Sequence, residues 1–339
     1  MKGIAIISVV LGHVCIGTHI ERIVNQYHLA TFFFVSGYFL KETQIDNIKN
    51  FAIRKFVHLY VPYMKYGILF LLLHNIFYGW HLENNLYDLH TALHEIRNFT
   101  IGMTSEEPLM GAMWFCPSLL MVSIFSAIAI WLSKQLHNVY LKAVILMSFP
   151  CLGYIFCLYG VKSPRCAWEY MQISGIFVIG YLFNKMHYRL YSKKVRRHVV
   201  SIVLCASLIM LYSNKIYANL QPQSIRNENL MAVLYVGSAS AICMYYISNI
   251  IKKQRIVAKL LSIIGNYSFS IMALHLVCFK IVSLLHVMSY KEDVGMLSSF
   301  PVIGNVSISW KLFYIFVGVY VPIALTIIYR RCSKFIIRD

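Results

Sequence analysis

Ten long stretches without a charged side chain constrain what this chain can fold into. Each stretch has 15 to 23 residues and is separated from the next by basic or mixed clusters. About 20 apolar residues are needed to cross the hydrocarbon core of a bilayer, where every backbone N–H and C=O must be paired internally. We therefore predict an all-α, polytopic membrane bundle of about ten transmembrane helices that forms one integral domain over residues 1–339. The predicted spans are 3–20, 23–40, 66–82, 111–133, 143–161, 170–184, 198–214, 229–251, 260–279 and 312–329.

The composition also indicates a membrane protein. Hydrophobic residues make up 59% of the chain and charged residues only 13%, whereas about a quarter of the residues of a soluble domain are charged. The first apolar stretch continues to Ile20 without a small-residue cleavage site, so we expect the first helix to stay in the protein. The nine cysteines lie mostly within spans and form no CxxC pair, which is typical of packing residues and predicts no zinc or redox site.

The basic residues predict the orientation of the bundle. Lys and Arg number 31 against 13 acidic residues, and 20 of the 31 fall in segments on one side of the predicted bundle, against eight on the other. The positive-inside rule then places both termini in the cytoplasm. We expect a multi-pass protein of the plasma (inner) membrane, whose surplus charge meets anionic lipid head groups. No basic and aromatic groove stands apart from these loops, so nucleic acid is not predicted as a partner.

Residues 294–310 form a further charge-free stretch that we do not predict to span. Gly295, Pro301 and Gly304 interrupt it, and these residues favour turns over a continuous helix. We predict an outer loop or a re-entrant piece here.

Two histidines are the first candidates for chemistry. An ionisable side chain inside a bilayer is costly and indicates function by default, and His13 lies about 16 Å along the first helix at 1.5 Å per residue. His28 opens the second span, and a turn near Ile20 and Glu21 would bring both imidazoles to a similar depth in one pocket. An imidazole in such a pocket could take a proton from a hydroxyl and return it to a leaving group, as acyl transfer requires. The alternative is that each histidine only bonds a neighbouring helix.

Five ordered segments carry a family resemblance. They read MKGIAIISVVLGH, YHLATFFFVSGYFLK, RKFVHLYVPYM, MWFCPSLL and GNYSFSIMALH, and together they span nearly the full chain. In this order they resemble the motifs of the acyltransferase-3 family of integral membrane acyltransferases, especially its fucose O-acetylase and exopolysaccharide-modifying members. Each segment alone is a weak signal, whereas the order of all five is specific.

The resemblance implies about ten helices and O-acylation of a sugar in an envelope polysaccharide, an exopolysaccharide or a lipid-linked glycan. The implied donor is acetyl-CoA or another acyl-CoA that approaches from the cytoplasm, and no permanently bound cofactor or metal ion is expected. His13 matches the essential histidine of the family's first helix, and His28 matches the Phe-His entry to its second, so both are predicted to be catalytic. Ser36 and Gly37 match a Ser-Gly pair, and Ser36 is predicted to contact the substrate.

The chain departs from the family pattern at two places. Family members usually carry further residues, often including an Asp, before the Lys-Gly pair that here follows Met1. The resemblance therefore implies a first helix that is short at its cytoplasmic end. His58 stands where many members have a second basic or a polar residue.

Arg54 and Lys55 are predicted to bind the phosphates of the acyl-CoA donor. They lie on a predicted interfacial segment, 45–60, whose apolar residues recur at helical spacing. Arginine offers bidentate donors to phosphate and lysine offers a point charge. Both residues could instead anchor the segment to lipid head groups. Six basic residues within 185–197 are a competing CoA-facing patch or serve topology alone.

Trp114 and His275 complete the predicted substrate contacts. Trp114 opens the fourth span, where a sugar could stack on the indole or the ring could serve as an interfacial anchor. His275 lies about two turns beyond Ser268 on the same helix face, and its alternative role is a helix-packing hydrogen bond.

The outer loop 81–110 is acidic and could form a lid over neutral or amino sugars. Within it, His90, His94 and Glu95 have the i, i+4 spacing that can bind zinc, but no fixed third ligand is apparent, so we predict a solvated helix face and no metal.

Two other classes of protein fit the same residues. A transporter or flippase of a lipid-linked glycan or small solute would use the polar groups as a pathway, without covalent chemistry. A sensory or structural membrane module would retain the fold without the activity. Transfer of a labelled acyl group to polysaccharide separates the enzyme from both.

Overall fold

The computed structural model describes residues 1–104, 107–189 and 219–336. Within these residues the secondary structure is helical and contains no strand, which confirms the all-α prediction. Twelve α-helices of eight or more residues occur in this part of the chain. They are α1 (Lys2–Gly12), α2 (Thr18–Tyr38), α3 (Ile48–Lys55), α4 (Val61–Gly79), α5 (Leu89–Arg97), α6 (Phe115–Lys134), α7 (Val139–Leu158), α8 (Ala167–Arg189), α9 (Leu230–Ile251), α10 (Arg255–Asn266), α11 (Ser268–Tyr290) and α12 (Ile308–Ile336).

Short helical turns connect several of these helices. They are Glu42–Gln44, Phe56–Tyr60, Asn98–Gly102, Pro108–Trp114, Pro164–Cys166, Pro222–Ile225 and Val294–Ser298.

Six helical segments among the described residues are long and apolar enough to cross a membrane. They are Ile48–Gly79, Pro108–Lys134, Val139–Leu158, Leu230–Ile251, Ser268–Tyr290 and Ile308–Ser333. The first of them joins the predicted interfacial segment 45–60 to the predicted span 66–82, because a π-helical turn continues α3 into α4 without a break. The predicted spans 23–40 and 170–184 are helical as α2 and α8 but are not among the six. The predicted span 198–214 lies outside the described residues.

The first predicted span, 3–20, is wrong at its outer end. The helix α1 stops at Gly12, residues 13–17 form a turn, and α2 begins at Thr18. The chain therefore turns around Cys15 and not near Ile20. His13 and His28 are not equally far from this turn, so the predicted similar depth of the two imidazoles does not follow from it.

The predicted span 260–279 is also displaced. The chain breaks at Tyr267, between the strongly amphipathic α10 and the apolar α11, and α11 continues to Tyr290. The charge-free run on which the prediction was based ends at Phe279, just before Lys280. The Lys280 side chain is buried within α11, and its ammonium donates to the carbonyl oxygens of Leu297 and Ser299 at 2.8 and 2.9 Å. A charge whose hydrogen bonds are satisfied can stay within a span.

The chain forms two compact units. The first unit comprises Met1, Arg22–Val61 and Cys116–Ala258. Within it α2 and α8 cross at two glycines: a Cβ on Gly37 would meet the carbonyl oxygen of Phe177, and a Cβ on Gly180 would meet that of Phe34. Small residues of this kind let two membrane helices approach closely.

The second unit comprises Lys2–Glu21, Pro62–Phe115 and Lys259–Asp339. Its α1, α11 and α12 pack together, and again glycines stand at the closest approaches. A Cβ on Gly3 would meet the carbonyl oxygen of Leu261, and a Cβ on Gly318 would lie 2.5 Å from the Phe279 ring and 3.0 Å from Val10. The predicted loop 294–310 contains only the short turn Val294–Ser298 before α12 begins at Ile308.

Candidate active site

His13 stands at the C-terminal end of α1 in the second unit. Its backbone N–H donates to the carbonyl oxygen of Val10 at 3.2 Å, as the last turn of the helix closes. The following turn is tied to α12, because Lys311 Nζ donates to the carbonyl oxygen of Cys15 at 2.6 Å. Lys2 and His13 are separated by the length of α1, about 16 Å. The histidine is therefore held by two helices at a fixed distance from the start of α1.

His275 lies against His13 in the same unit. The two imidazole centroids are 5.3 Å apart with the rings inclined by 42°, and His275 is 0% exposed. The edge-on ring of Phe279 covers another side of His275, at 5.5 Å between centroids. The sequence predicted each histidine separately but did not predict that the two would meet.

The contact follows from how α1 runs beside α11. Gly3 and Gly265 approach each other near the start of α1, where a Cβ on Gly265 would lie 3.0 Å from the Gly3 nitrogen. His13 and His275 each stand ten residues further along. The two segments are thus parallel and in step, so a close approach at the glycines brings the histidines together.

The hydrogen bonds of His275 define its tautomer. Nδ1 lies 2.8 Å from the carbonyl oxygen of Ile271 and 3.1 Å from that of Met272. Carbonyl oxygens only accept, so Nδ1 must carry the hydrogen and Nε2 must carry the lone pair. Nε2 is buried and has no hydrogen-bond partner among the described residues. A buried, unpaired acceptor beside a second imidazole can receive a proton or an N–H from that neighbour.

Trp114 also belongs to the second unit and ends the turn Pro108–Trp114. Its ring contacts Phe115 at 6.3 Å between centroids, near the start of α6. Gly111 in the same turn faces Leu276, where a Cβ would lie 3.8 Å from the leucine side chain. The turn that carries Trp114 therefore packs against α11 one residue beyond His275.

His28 and Ser36 lie on α2 in the first unit. His28 is buried, and its Nδ1 donates to the carbonyl oxygen of Val24 at 2.6 Å. Ser36 is half-buried and directly precedes Gly37, where α2 crosses α8. A catalytic role for His28 and a substrate contact for Ser36 stay predictions.

Arg54 and Lys55 lie at the end of α3 in the first unit. Arg54 is exposed and donates to the carbonyl oxygen of Gln44 at 3.0 Å, and the Lys55 ammonium lies 5.5 Å from the centre of the Phe51 ring.

In the competing basic patch at 185–197, the Lys185 ammonium forms a salt bridge with Glu42. The Glu42 carboxylate also accepts a hydrogen bond from the Tyr181 hydroxyl. The Lys185 ammonium and the Tyr181 hydroxyl lower the pKa of the Glu42 carboxyl. Basic residues of the patch beyond 189 lie outside the described residues.

The second unit contains a buried acidic cluster that was not predicted from the sequence. His74 Nδ1 lies 2.7 Å from the Glu107 carboxylate, and its Nε2 donates to the carbonyl oxygen of Asn85 at 2.9 Å. The carboxyl groups of Glu83 and Glu107 hydrogen-bond each other, and both side chains are buried. Glu83 and Glu107 therefore anchor the loop 81–110, whose acids the sequence predicted only as part of a lid over sugars.

Burial raises the pKa of both carboxyls of this pair to about 7. Glu83 is raised further by the neighbouring charge of Glu107 and is opposed by the positive charges of His74 and Lys280. Two carboxyls in direct contact share a proton, because ionising both would leave like charges side by side. His74 was the available signal, since it is an ionisable residue inside the predicted span 66–82.

The predicted helix face with His90 and His94 does not hold a site of this kind. His94 Nδ1 lies 3.6 Å from Glu95, and Glu95 is buried and accepts from Asn98 at 3.0 Å. The prediction of a solvated face was therefore wrong for Glu95. No group of three metal-binding side chains converges within the described residues.

These observations define an integral membrane protein of several apolar helices in which the imidazole of His13 contacts the buried imidazole of His275. The family model of the acyltransferase-3 family, which describes an acyltransferase domain, matches residues 1–327 of the 339 residues. The chain belongs to this family and is a membrane acyltransferase. Neither the comparison with curated proteins nor that with solved structures gave a match.

Proposed function

We propose that this protein transfers an acyl group, acetyl in the simplest case, from acyl-CoA to a hydroxyl of an envelope or exopolysaccharide sugar. The observation that carries the proposal is the contact of His13 with His275, in a chain whose family is that of membrane acyltransferases. A neutral imidazole is suited to accept a proton from a hydroxyl and to deliver it to a leaving group at neutral pH.

In the proposed step, His13 accepts the proton of the sugar hydroxyl as its oxygen attacks the thioester carbon. The new C–O bond forms and the C–S bond breaks when the tetrahedral intermediate collapses. The departing sulfur takes the proton from His13, which releases CoA as the free thiol and returns the histidine to its neutral form. No oxidant, metal ion or further reactant is needed for this balance.

The remaining site residues are proposed in the roles that the sequence predicted. Arg54 and Lys55 bind the phosphates of acyl-CoA; this is supported by the exposure of Arg54 and the partial exposure of Lys55 at the end of α3. Ser36 and Trp114 contact the substrates; the sequence also predicts a catalytic role for His28 and a substrate contact for His275. About ten spans with both termini in the cytoplasm of a plasma (inner) membrane protein let the donor enter from inside and the sugar from outside.

Purified protein in lipid nanodiscs, given labelled acetyl-CoA and polysaccharide from the producing cell, tests this function. We expect labelled O-acetyl groups on the polysaccharide, and we expect His13→Ala to reduce the transfer rate by at least about 100-fold, the usual effect of losing a general base. The exposed His19 offers a matched control, since His19→Ala should leave the rate within about twofold. Full transfer by His13→Ala would refute the catalytic assignment.

A further inference from the structure

Helix packing alone does not explain why the Nε2 nitrogen of His275 is left without a hydrogen bond. Its Nδ1 hydrogen is taken by the carbonyl oxygens of Ile271 and Met272 in its own helix. Within the part of the chain that the structure describes, its Nε2 has no hydrogen-bond partner, and the side chain is 0% exposed. An unsatisfied buried acceptor is costly and is uncommon enough in proteins to require a reason.

Among the described residues, His13 can donate a hydrogen bond to Nε2 of His275. The ring of His13 is 5.3 Å away between centroids, close enough for an N–H of His13 to reach Nε2 after a rotation of its side chain. Catalytic hydrogen bonds are often long before the reactants bind and tighten when they do. His13 is also the only ionisable group among the described residues whose charge acts appreciably on His275. The ring of Phe279 faces His275 on another side and offers no donor.

We propose that His275 is the positioning residue for His13, an inference that rests on the proposed function. Its Nε2 accepts the N–H of one His13 nitrogen, so the other His13 nitrogen presents its lone pair to the sugar hydroxyl. When His13 takes the proton, the same hydrogen bond holds the imidazolium until the proton passes to the CoA sulfur. The supporting role expected for His28 from the sequence then belongs to His275.

Two substitutions of similar size separate this role from helix packing. In His275→Asn the amide reaches the position of Nδ1 and can keep the bond to the Ile271 carbonyl, but nothing replaces Nε2. In His275→Gln the longer side chain can place its amide oxygen near the position of Nε2. A packing role predicts that the Asn variant works better, and a positioning role predicts that the Gln variant works better.

The experiment measures labelled acyl transfer and its pH dependence for wild type, His275→Asn and His275→Gln in nanodiscs. We expect kcat to fall at least about tenfold in the Asn variant, with KM for acyl-CoA unchanged, and to recover substantially in the Gln variant. The acid limb of the pH–rate profile should move to lower pH in the Asn variant, because the His13 imidazolium has lost its acceptor. Equal rates in the two variants, or a faster Asn variant, would overturn the positioning role.

A second measurement does not depend on turnover. In protein labelled with ¹⁵N-histidine, the His275 signals are identified by their loss in His275→Asn. We expect these signals to show the Nδ1–H tautomer. We also expect the Nε2 resonance of His275 to shift in His13→Ala. An Nε2–H tautomer, or an Nε2 signal that ignores His13, would overturn the inference. Absence of label transfer by wild type would instead count against the proposed function, and the tautomer result would still decide the positioning role.

Discussion

Lys311 holds the turn that presents His13. Its ammonium donates to the carbonyl oxygen of Cys15 at 2.6 Å, and Cys15 has a left-handed backbone with φ of 53°. Residues other than glycine adopt this conformation at a cost. A charge-assisted hydrogen bond of this length is about twice as strong as a neutral one and can offset that cost. The direction in which His13 points thus depends on a side chain from α12.

We therefore expect Lys311→Met to impair catalysis without abolishing the fold. Methionine keeps the apolar stem of the side chain but loses the ammonium, so the turn at 13–17 can relax and displace His13. Because a displacement of about 1 Å at a reacting group can cost about 100-fold in rate, we expect kcat for acyl transfer to fall by tenfold or more. Lys65→Met, at an exposed lysine of α4, is the control and should keep its rate. A full rate in Lys311→Met would show that the turn is held by other contacts.

The Glu83–Glu107 pair makes stability depend on pH. Burial raises the pKa of each carboxyl from 4.5 to about 7, so the folded protein keeps protons that the unfolded chain releases in this interval. The folded state then binds more protons than the unfolded state, and the free energy of unfolding decreases as the pH rises from 4.5 to about 7. Above that range the contribution is constant. His74, Lys280 and Glu95 are the other charged groups that act on the pair.

Glu83→Gln should weaken this pH dependence. Glutamine resembles the protonated carboxyl in shape and can donate a hydrogen bond to Glu107 without releasing a proton. We expect the melting temperature of the variant to change less between pH 5 and pH 7.5 than that of wild type, and to exceed it at pH 7.5. Glu21→Gln, which changes an acid outside the pair, should follow the wild-type profile. A variant whose melting curve parallels wild type at every pH would show that the pair does not hold the extra protons.

At the scale of helices, glycines set the distances on which the histidine pair depends. Gly3 lets α1 approach the backbone of α10 at Leu261, and Gly318 lets α12 approach Phe279 and Val10. A backbone carbonyl cannot move aside as a flexible side chain can. The position of His13 beside His275 therefore begins with a contact near the other end of α1.

Gly3→Ala should separate α1 from α10. Alanine favours a helix over glycine by up to about 1 kcal/mol, but an added Cβ at Gly3 would overlap the Leu261 carbonyl, and overpacking of this kind costs about 1–3 kcal/mol. We expect a net loss of stability, seen as a lower melting temperature, together with reduced acyl transfer. Gly17→Ala places its Cβ in open space and should preserve both properties. A higher melting temperature in Gly3→Ala would mean that helix propensity outweighs the contact.

The charge-free runs predicted some helices to within a few residues and misplaced others. The predicted span 229–251 matches α9, because polar and charged residues lie just outside both ends. The prediction was displaced at α11 because Lys280 is buried and bonded to carbonyl oxygens of a distant loop. The prediction was too long at α1 because the turn after Gly12 is held by Lys311. Tertiary hydrogen bonds of this kind leave no local pattern in a sequence.

The candidate site was likewise predicted from the sequence only in part. The ordered motifs identified His13 and His275 as candidates, but their contact depends on the parallel register of two segments that are far apart in the chain. His74 and Glu107 were not selected, because an acidic loop normally faces water and only the folded structure brings Glu107 against a histidine of α4. Residue type indicated where chemistry is possible, and packing decided which residues meet.

At the scale of the whole molecule, the arrangement of charge predicts an orientation in the membrane. The segments predicted to lie in the cytoplasm hold 20 of the 31 basic residues, and membrane insertion disfavours moving so many Lys and Arg across the bilayer. The predicted orientation has the loop at Glu83 outside and the end of α12 inside. In the proposed function, this orientation would let a cytoplasmic acyl-CoA and an external sugar reach the protein from opposite sides.

Cysteine labelling in intact cells tests that orientation. Cys332 is exposed near the end of α12, and Asn84→Cys adds an exposed thiol in the loop 81–110. In two single-cysteine variants, with the other cysteines replaced by alanine and acyl transfer retained, we expect a membrane-impermeant maleimide to label Asn84→Cys in intact cells. Cys332 should react only after the membrane is permeabilised, because its flanking Arg330, Arg331 and Lys334 are held in the cytoplasm. Labelling of Cys332 in intact cells would place the end of α12 outside and would require a different number of crossings, and with it a different route for the donor.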